Sequence, residues 1–113
     1  MTHTMRLAPA PFAAIAEGRK TLELRLLDEK RQAIAPGDTI LFCERGSERS
    51  LRARVVALHR FRDFSELYTA LPLSECGYRE EELATASPSD MEEYYSKAEQ
   101  ERYGVVAIEI ALI

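Results

Sequence analysis

The chain is poor in the residues that build metal centres and covalent cross-links. Its 113 residues include two cysteines, Cys43 and Cys76, and two histidines, His3 and His59. Neither cysteine belongs to a CxxC pair, and the histidines do not have helical ligand spacing. A zinc site is therefore not expected, and nothing calls for a cofactor. Two free thiols in a reducing cytoplasm are the expected state of the cysteines. No apolar run reaches the roughly 18–20 residues of a membrane span. The segment from Met1 to Leu7 lacks the apolar core of a secretory signal, so a cytoplasmic protein with no membrane partner is expected. An excess of positive charge is missing too. Fifteen Lys and Arg face nineteen Asp and Glu, for a net charge of -4. That argues against charge-driven binding to duplex DNA, although it leaves room for a local basic patch.

What is present suits a globular protein. Hydrophobic residues make up 46% and charged residues 30%, enough apolar material to order one domain over residues 1–113. The chain contains no repeat, low-complexity stretch or linker.

The segment Gly18-Arg19-Lys20-Thr21-Leu22-Glu23-Leu24-Arg25 reads as the end of a short helix, a turn and a strand. Leu22, Leu24 and Leu26 recur every second residue and face a core, while Thr21, Glu23 and Arg25 face the other way. A carboxylate and a guanidinium on one strand face, with Arg19 and Lys20 at its mouth, form a compact charged group. The group is either a solvated ion pair, worth about 0–1 kcal/mol, or a polar site on a rigid strand.

Around it, Pro9–Glu17 carries Phe12 and Ile15 at helical spacing and ends at Gly18. Asp28–Gln32 is a polar loop, and Pro36-Gly37 presets a turn. Thr39–Cys43 is a short strand and Glu44–Glu48 a hairpin turn. Ser50–Phe61 is the longest strand, with Leu51, Ala53, Val55 and Ala57 on one face and Arg52, Arg54, Val56 and Leu58 on the other. Its arginines either keep a strand soluble or contact phosphate. Asp63 caps a short helix containing Phe64, Leu67 and Tyr68. A second short helical segment begins at Arg79. Ser89 with Glu92 matches a capping box for a helix running to about Arg102, packed through Met91, Tyr94, Tyr95 and Ala98. Val105–Leu112 is a nearly all-apolar, central strand. Short strands with glycine turns and a helical insertion describe an α+β protein, a small mixed β-barrel that is partly open, with short flanking helices.

Several blocks together resemble the ASCH domain family, small β-barrels similar to the PUA RNA-binding fold. The signature is Gly18-Arg19-Lys20-Thr21-x-Glu23-x-Arg25. The Pro36-Gly37-Asp38-Thr39-Ile40 turn, the Gly77-Tyr78 loop, Tyr94-Tyr95-Ser96 and Tyr103-Gly104-Val105-Val106 follow in the family's order. The resemblance implies a cleft beside the signature strand that takes a nucleoside, nucleobase or RNA. Some small bacterial members are amidohydrolases that remove the acyl group of N4-acetylcytidine without a metal. They use a lysine in the signature, a threonine three residues later and a glutamate in the loop region. Lys20 matches the lysine. Glu23 stands where the threonine would be, and Glu75 is the candidate loop carboxylate, with Glu80, Glu81 and Glu82 close by.

On this resemblance, Lys20, Glu23 and Glu75 form the candidate catalytic set. Glu23 would activate water, Lys20 would stabilise the oxyanion or pass a proton to the leaving amine, and Glu75 would read the cytosine edge or shuttle a proton. Arg19, Thr21, Arg25, Tyr78 and Tyr95 are the candidate substrate-binding residues, with Arg25 keeping Glu23 ionised. Ser96 and Cys76 have no base partner in sequence, which weighs against a serine or cysteine nucleophile. The alternatives are an RNA-binding or nucleotide-binding module without catalysis, with Arg52, Arg54 and Arg60 on phosphates, or a ribonuclease.

Overall fold

A computed structural model describes all residues from Met1 to Ile113. Five strands form one curled sheet: β1 (Thr2–Leu7), β2 (Leu22–Leu26), β3 (Thr39–Glu44), β4 (Ser50–Phe61) and β5 (Val105–Leu112). Their spatial order is β1-β3-β4-β5-β2. Only β1 and β3 run parallel; the other pairs are antiparallel. The helices are α1 (Pro9–Ala16), α2 (Glu29–Gln32), α3 (Phe64–Ala70) and α4 (Lys97–Tyr103). Three 3-10 turns, Leu73–Cys76, Glu80–Thr85 and Pro88–Glu93, lie between α3 and α4. The result is the expected α+β architecture, a half-barrel whose edge strands are β1 and β2.

Alternation assigns the two faces. Residues directly opposite each other on paired strands share a face. The concave side is filled by Met5, Leu7, Ile40, Phe42, Ala53, Val55, Val106, Ile108 and Ile110, with Phe12 and Ile15 of α1 and with Ile34. On the convex side Leu22, Leu24, Leu26, Val105 and Ala107 pack against Phe64, Leu67 and Cys76. β5 is thus buried on both sides, which explains its nearly unbroken apolar run. Beyond the helical layer the convex face is open. There the register sets Arg6 beside Cys43 and Ser50, Thr4 beside Leu41 and Arg52, and Thr2 beside Thr39 and Arg54.

Four local features differ from the sequence reading. The N-terminal segment is a strand: His3, Met5 and Leu7 are buried while Thr2, Thr4 and Arg6 are exposed. Its tail is pinned by Asp38, which accepts from Met1 N and Ala35 N and bonds His3 Nε2 at 2.8 Å. The Asp28–Gln32 loop contains the single turn α2, capped by Asp28. β4 has a register irregularity between Val55 and Ala57. One extra residue reverses the alternation, so Leu58 rather than Ala57 packs on the concave core. Finally, the expected helix through Arg102 is broken in two. Ser87 and Asp90 cap the 3-10 turn, Ser96 and Glu99 cap α4, and Ser89 with Glu92 do not form a box. In α4 the buried residue is Gln100, while Tyr94 and Ala98 are exposed. Gln100 accepts from Phe64 N at 3.4 Å and donates to the Tyr95 carbonyl at 3.3 Å.

Candidate functional site

Where β2 enters the sheet, the chain is held by a dense set of backbone bonds. The amides of Arg19 and Lys20 both donate to the Ala14 carbonyl at the end of α1. The Thr21 amide donates to the Glu75 carbonyl, and the Thr21 carbonyl accepts from Ile110 of β5. This ties the first residues of β2 simultaneously to α1, to the 3-10 turn Leu73–Cys76 and to the central strand. Pleating then sends Leu22 and Leu24 to the convex core and Glu23 and Arg25 to the concave side, opposite Ile108 and Val106.

Glu23 is 3% exposed, an ionisable residue in an apolar core. Both of its oxygens are occupied. Oε1 accepts from Lys20 Nζ at 2.7 Å and Oε2 from Arg25 Nε at 2.8 Å. Burial pushes the Glu23 pKa up, but the charges and hydrogen bonds of Lys20 and Arg25 outweigh it, so the net shift is downward. Burial likewise works to lower the Arg25 pKa, and Glu23 more than compensates, leaving it raised. Glu23 and Arg25 are therefore both ionised at neutral pH. Such a set is strongly interdependent, because removing one partner of a buried pair leaves an uncompensated charge that costs about 3–5 kcal/mol.

Arg25 also reaches across the opening of the half-barrel, where its NH2 group donates to the Arg6 carbonyl on β1 at 3.3 Å. Lys30 donates to the Thr4 carbonyl on the same edge. The unpaired edge of β1 is thus met by side chains rather than by a neighbouring strand. A cleft of about 590 Å³ opens above this seam, a volume suited to a nucleoside-sized ligand. Glu23, Lys20 and Arg25 line it. So do Arg6 and Arg45 from the β1–β3 wall, Arg19 beside Lys20, and Arg79 from the opposite loop. The six cations outnumber the four lining carboxylates, the reverse of the chain's overall balance.

The far wall is aromatic. Tyr68, Tyr78, Tyr94 and Tyr95 all line the cleft. Tyr78 OH donates to Asp90 Oδ2 at 2.7 Å, and the Tyr68 and Tyr78 hydroxyls lie 2.7 Å apart. Burial, then the Tyr68 and Asp90 contacts, raise the Tyr78 pKa far above its ordinary value, so its proton stays in place. Burial also raises Tyr68 and Tyr95, and it pushes the Cys76 thiol to about 11. Cys76 is thus a neutral thiol at physiological pH, and Cys43 is also free.

Of the residues singled out from sequence, Arg19, Lys20, Glu23, Arg25, Tyr78 and Tyr95 come together around this cleft. Thr21 and Glu75 meet each other instead: Thr21 Oγ1 donates to Glu75 Oε1 at 2.8 Å beside the cleft, and neither lines it. Arg6, Arg45, Tyr68, Arg79 and Tyr94 line it without having been singled out for it, since strand pairing and loop packing bring them there from distant stretches. Tyr94, expected on the packed side of a continuous helix, is turned outward because that helix is broken between Pro88–Glu93 and α4. No group of three His, Cys, Asp or Glu side chains is placed to hold a metal ion.

The ASCH domain model matches residues 5–113. The chain belongs to the ASCH domain family. Among solved structures, this ASCH domain is similar to the hypothetical protein PH0355, with 31% identity, full coverage of both chains and a TM-score of 0.82. It is also similar to protein PF0455 from Pyrococcus furiosus, at 32% identity and a TM-score of 0.73, covering all of this chain and 98% of that one. The ASCH protein from Zymomonas mobilis shares the fold at 18% identity and a TM-score of 0.68, over 97% of this chain and 66% of that one. No curated protein matches the chain. The family is one for which RNA binding or hydrolysis has been proposed. No helix of this ASCH domain is long and apolar enough to cross a membrane.

Proposed function

We propose that the cleft takes a cytosine-type base and hydrolyses the N4-acyl amide of an N4-acylated cytidine, such as N4-acetylcytidine, to cytidine and the carboxylic acid. The observation that carries this reading is the Lys20–Glu23–Arg25 trio at the floor of a cleft walled by tyrosines. Amide hydrolysis requires charge stabilisation for an oxyanion and a route for one proton from water to nitrogen. The Lys20 ammonium supplies the first, facing the acyl carbonyl oxygen as water adds to its carbon. Glu23 supplies the second. Each of its oxygens keeps one lone pair beyond the bond to a cation, so it accepts the water proton and the trio returns it to N4 as the C–N bond breaks. An aminopyrimidine leaves more readily than an alkylamine, which suits so small a set of groups. Arg25 holds Glu23 ionised and oriented. Tyr94, the most exposed ring, offers a base a stacking surface worth roughly 1–3 kcal/mol. Glu75, bonded to Thr21, acts on the mouth of β2 rather than on the base.

A second reading is favoured by the pKa of Glu23. A carboxylate held down by two cations is a weak base, and the cation excess of the cleft suits an anionic ligand. The cleft then binds an unpaired RNA base or nucleotide without cleaving it.

Incubation with N4-acetylcytidine in the absence of added metal, followed by chromatography, separates the two. The hydrolase reading expects cytidine to form. It also expects Lys20→Ala and Glu23→Gln each to lose about 10²–10⁴-fold in kcat, the range of a general acid–base role. Absence of cytidine from folded protein that still binds the nucleoside would leave the binding reading. Glu23→Gln retaining most of the turnover would remove Glu23 as the base.

A further inference from the structure

The arginines of β4 are not absorbed by the cleft. Arg52 and Arg54 lie on the convex face, where neither takes part in an ion pair or a side-chain hydrogen bond, and both are exposed. They follow each other on one face of the strand, about 7 Å apart by strand geometry. Their neighbours on β3 and β1 are Leu41, Thr39 and the threonines of β1, and on β5 Arg54 lies opposite Ala111, while the carboxylate further along that strand, Glu109, is bonded to His59. Two like charges side by side, unpaired, on a molecule with excess negative charge form a surface without an internal partner. β1 connects that surface to the cleft. Arg6 belongs to the same convex rows and is also a lining residue of the cleft, one row along from Thr4 and Arg52.

We infer that Arg6, Arg52 and Arg54 form a phosphate track for single-stranded RNA, which leaves the cleft at Arg6 and crosses the open convex face of β3 and β4. The inference rests on the base-binding reading of the cleft and deepens it, because it makes the ligand an RNA strand rather than a free nucleoside. Guanidinium groups at successive positions along one face match a run of phosphates, and they pair with phosphate oxygens through two parallel N–H donors each. The face also carries threonine hydroxyls, additional donors to the backbone. Sequence preference would come only from the base in the cleft.

The test is fluorescence anisotropy with a labelled single-stranded RNA of about 12 nucleotides, a length within the range of known single-strand sites. Wild type is compared with the Arg52→Gln/Arg54→Gln double variant between about 50 and 200 mM salt, the range over which such contacts are lost. Each phosphate contact on a single strand contributes about 0.7 to the slope of log affinity against log salt, so the double variant is expected to be shallower by about 1.4. Both side chains are exposed and unpaired, so the variant keeps its thermal midpoint and its binding or hydrolysis of N4-acetylcytidine. An unchanged slope and affinity in the double variant would overturn the track. So would equal binding, with equal loss in the variant, of duplex RNA or polyglutamate. Turnover or binding of the free nucleoside with no affinity for RNA overturns the track and leaves the cleft reading intact. Arginine-dependent RNA binding with no nucleoside hydrolysis does the opposite: it upholds the track and refutes the hydrolase reading.

Discussion

At the scale of single residues, the site depends on how one lysine is aimed. Lys20 is held from three directions: its backbone by α1, its ammonium by Glu23, and its aliphatic stem by Gly77. Gly77 has φ +107, and a Cβ there would lie 3.2 Å from Lys20 Cδ. Gly77→Ala therefore combines backbone strain of about 1–3 kcal/mol with a push on the lysine stem. Gly37 is a suitable control, with φ +92 and open space around its Cβ position. Both variants are expected to lower the thermal midpoint. Only Gly77→Ala should also weaken nucleoside binding and, on the hydrolase reading, lower kcat. Equal activity in the two variants, measured on the folded fraction, would show that the Gly77 contact does not aim Lys20. This part of the site was half legible in sequence. The alternation of Leu22, Glu23, Leu24 and Arg25 put the two charges on one face, and Lys20 stood in the signature. The sequence left open whether the pair was solvated or buried, because that depends on Ile108 and Val106 lying opposite and on α1 covering the same side.

At the scale of elements, the aromatic wall is assembled from pieces that cannot each fold alone. Tyr68 comes from α3, Tyr78 from the loop after Leu73–Cys76, and Asp90 from the 3-10 turn Pro88–Glu93. The two hydroxyl bonds join all three. Tyr78→Phe removes both, leaving the exposed Asp90 carboxylate to water and the Tyr68 hydroxyl without its partner. A stability loss of about 1–2 kcal/mol is expected from bonds of this kind. The local signature is faster amide exchange in residues 88–93 relative to the core of β5. Uniform exchange across the chain would mean that the relay does not hold the turn. Element boundaries were least legible here. Pro88 and three serines offer several competing caps within ten residues, and the choice of Ser87 and Ser96 was made by tertiary contacts, including the burial of Gln100 under Phe64. The N-terminal strand is the opposite case. Thr2–Leu7 alternates polar and apolar residues, so its signal was in the sequence, but its threonines and lone histidine gave little apolar weight. Its partner, β3, lies more than thirty residues away, where local patterning has no reach.

At the scale of the whole molecule, the half-barrel depends on carboxylates at its two edges. Asp38 fastens β1 by accepting from its N-terminus and pairing with His3. Glu23 sits on β2 and anchors Arg25, which crosses the seam to β1. Both carboxylates titrate below their ordinary values. The His3 bond, then the Ala35 amide, brings Asp38 down to about 2. For Glu23 burial opposes the shift and the two cations overcome it. A group whose folded pKa is depressed binds its proton more readily when unfolded. Its stabilisation is therefore complete above the unfolded pKa, near 4.5 for Glu23 and 3.8 for Asp38, and is lost as the pH falls through the folded value. Urea midpoints are expected to be flat from neutral pH to about 5, using the usual carboxylate range, and to fall steadily below it. Asp38→Asn should be less stable than wild type at pH 7 and should lose less on going to pH 3, because the difference between its folded and unfolded proton affinities has been removed. Glu23→Gln should behave in the same direction with a larger loss at pH 7, up to about 3–5 kcal/mol, since it leaves the half-buried Lys20 and Arg25 without a counter-charge. If both variants kept the full acid sensitivity of wild type, the acid-labile carboxylates would lie elsewhere, and the edges of the sheet would owe their closure to apolar packing rather than to these charges.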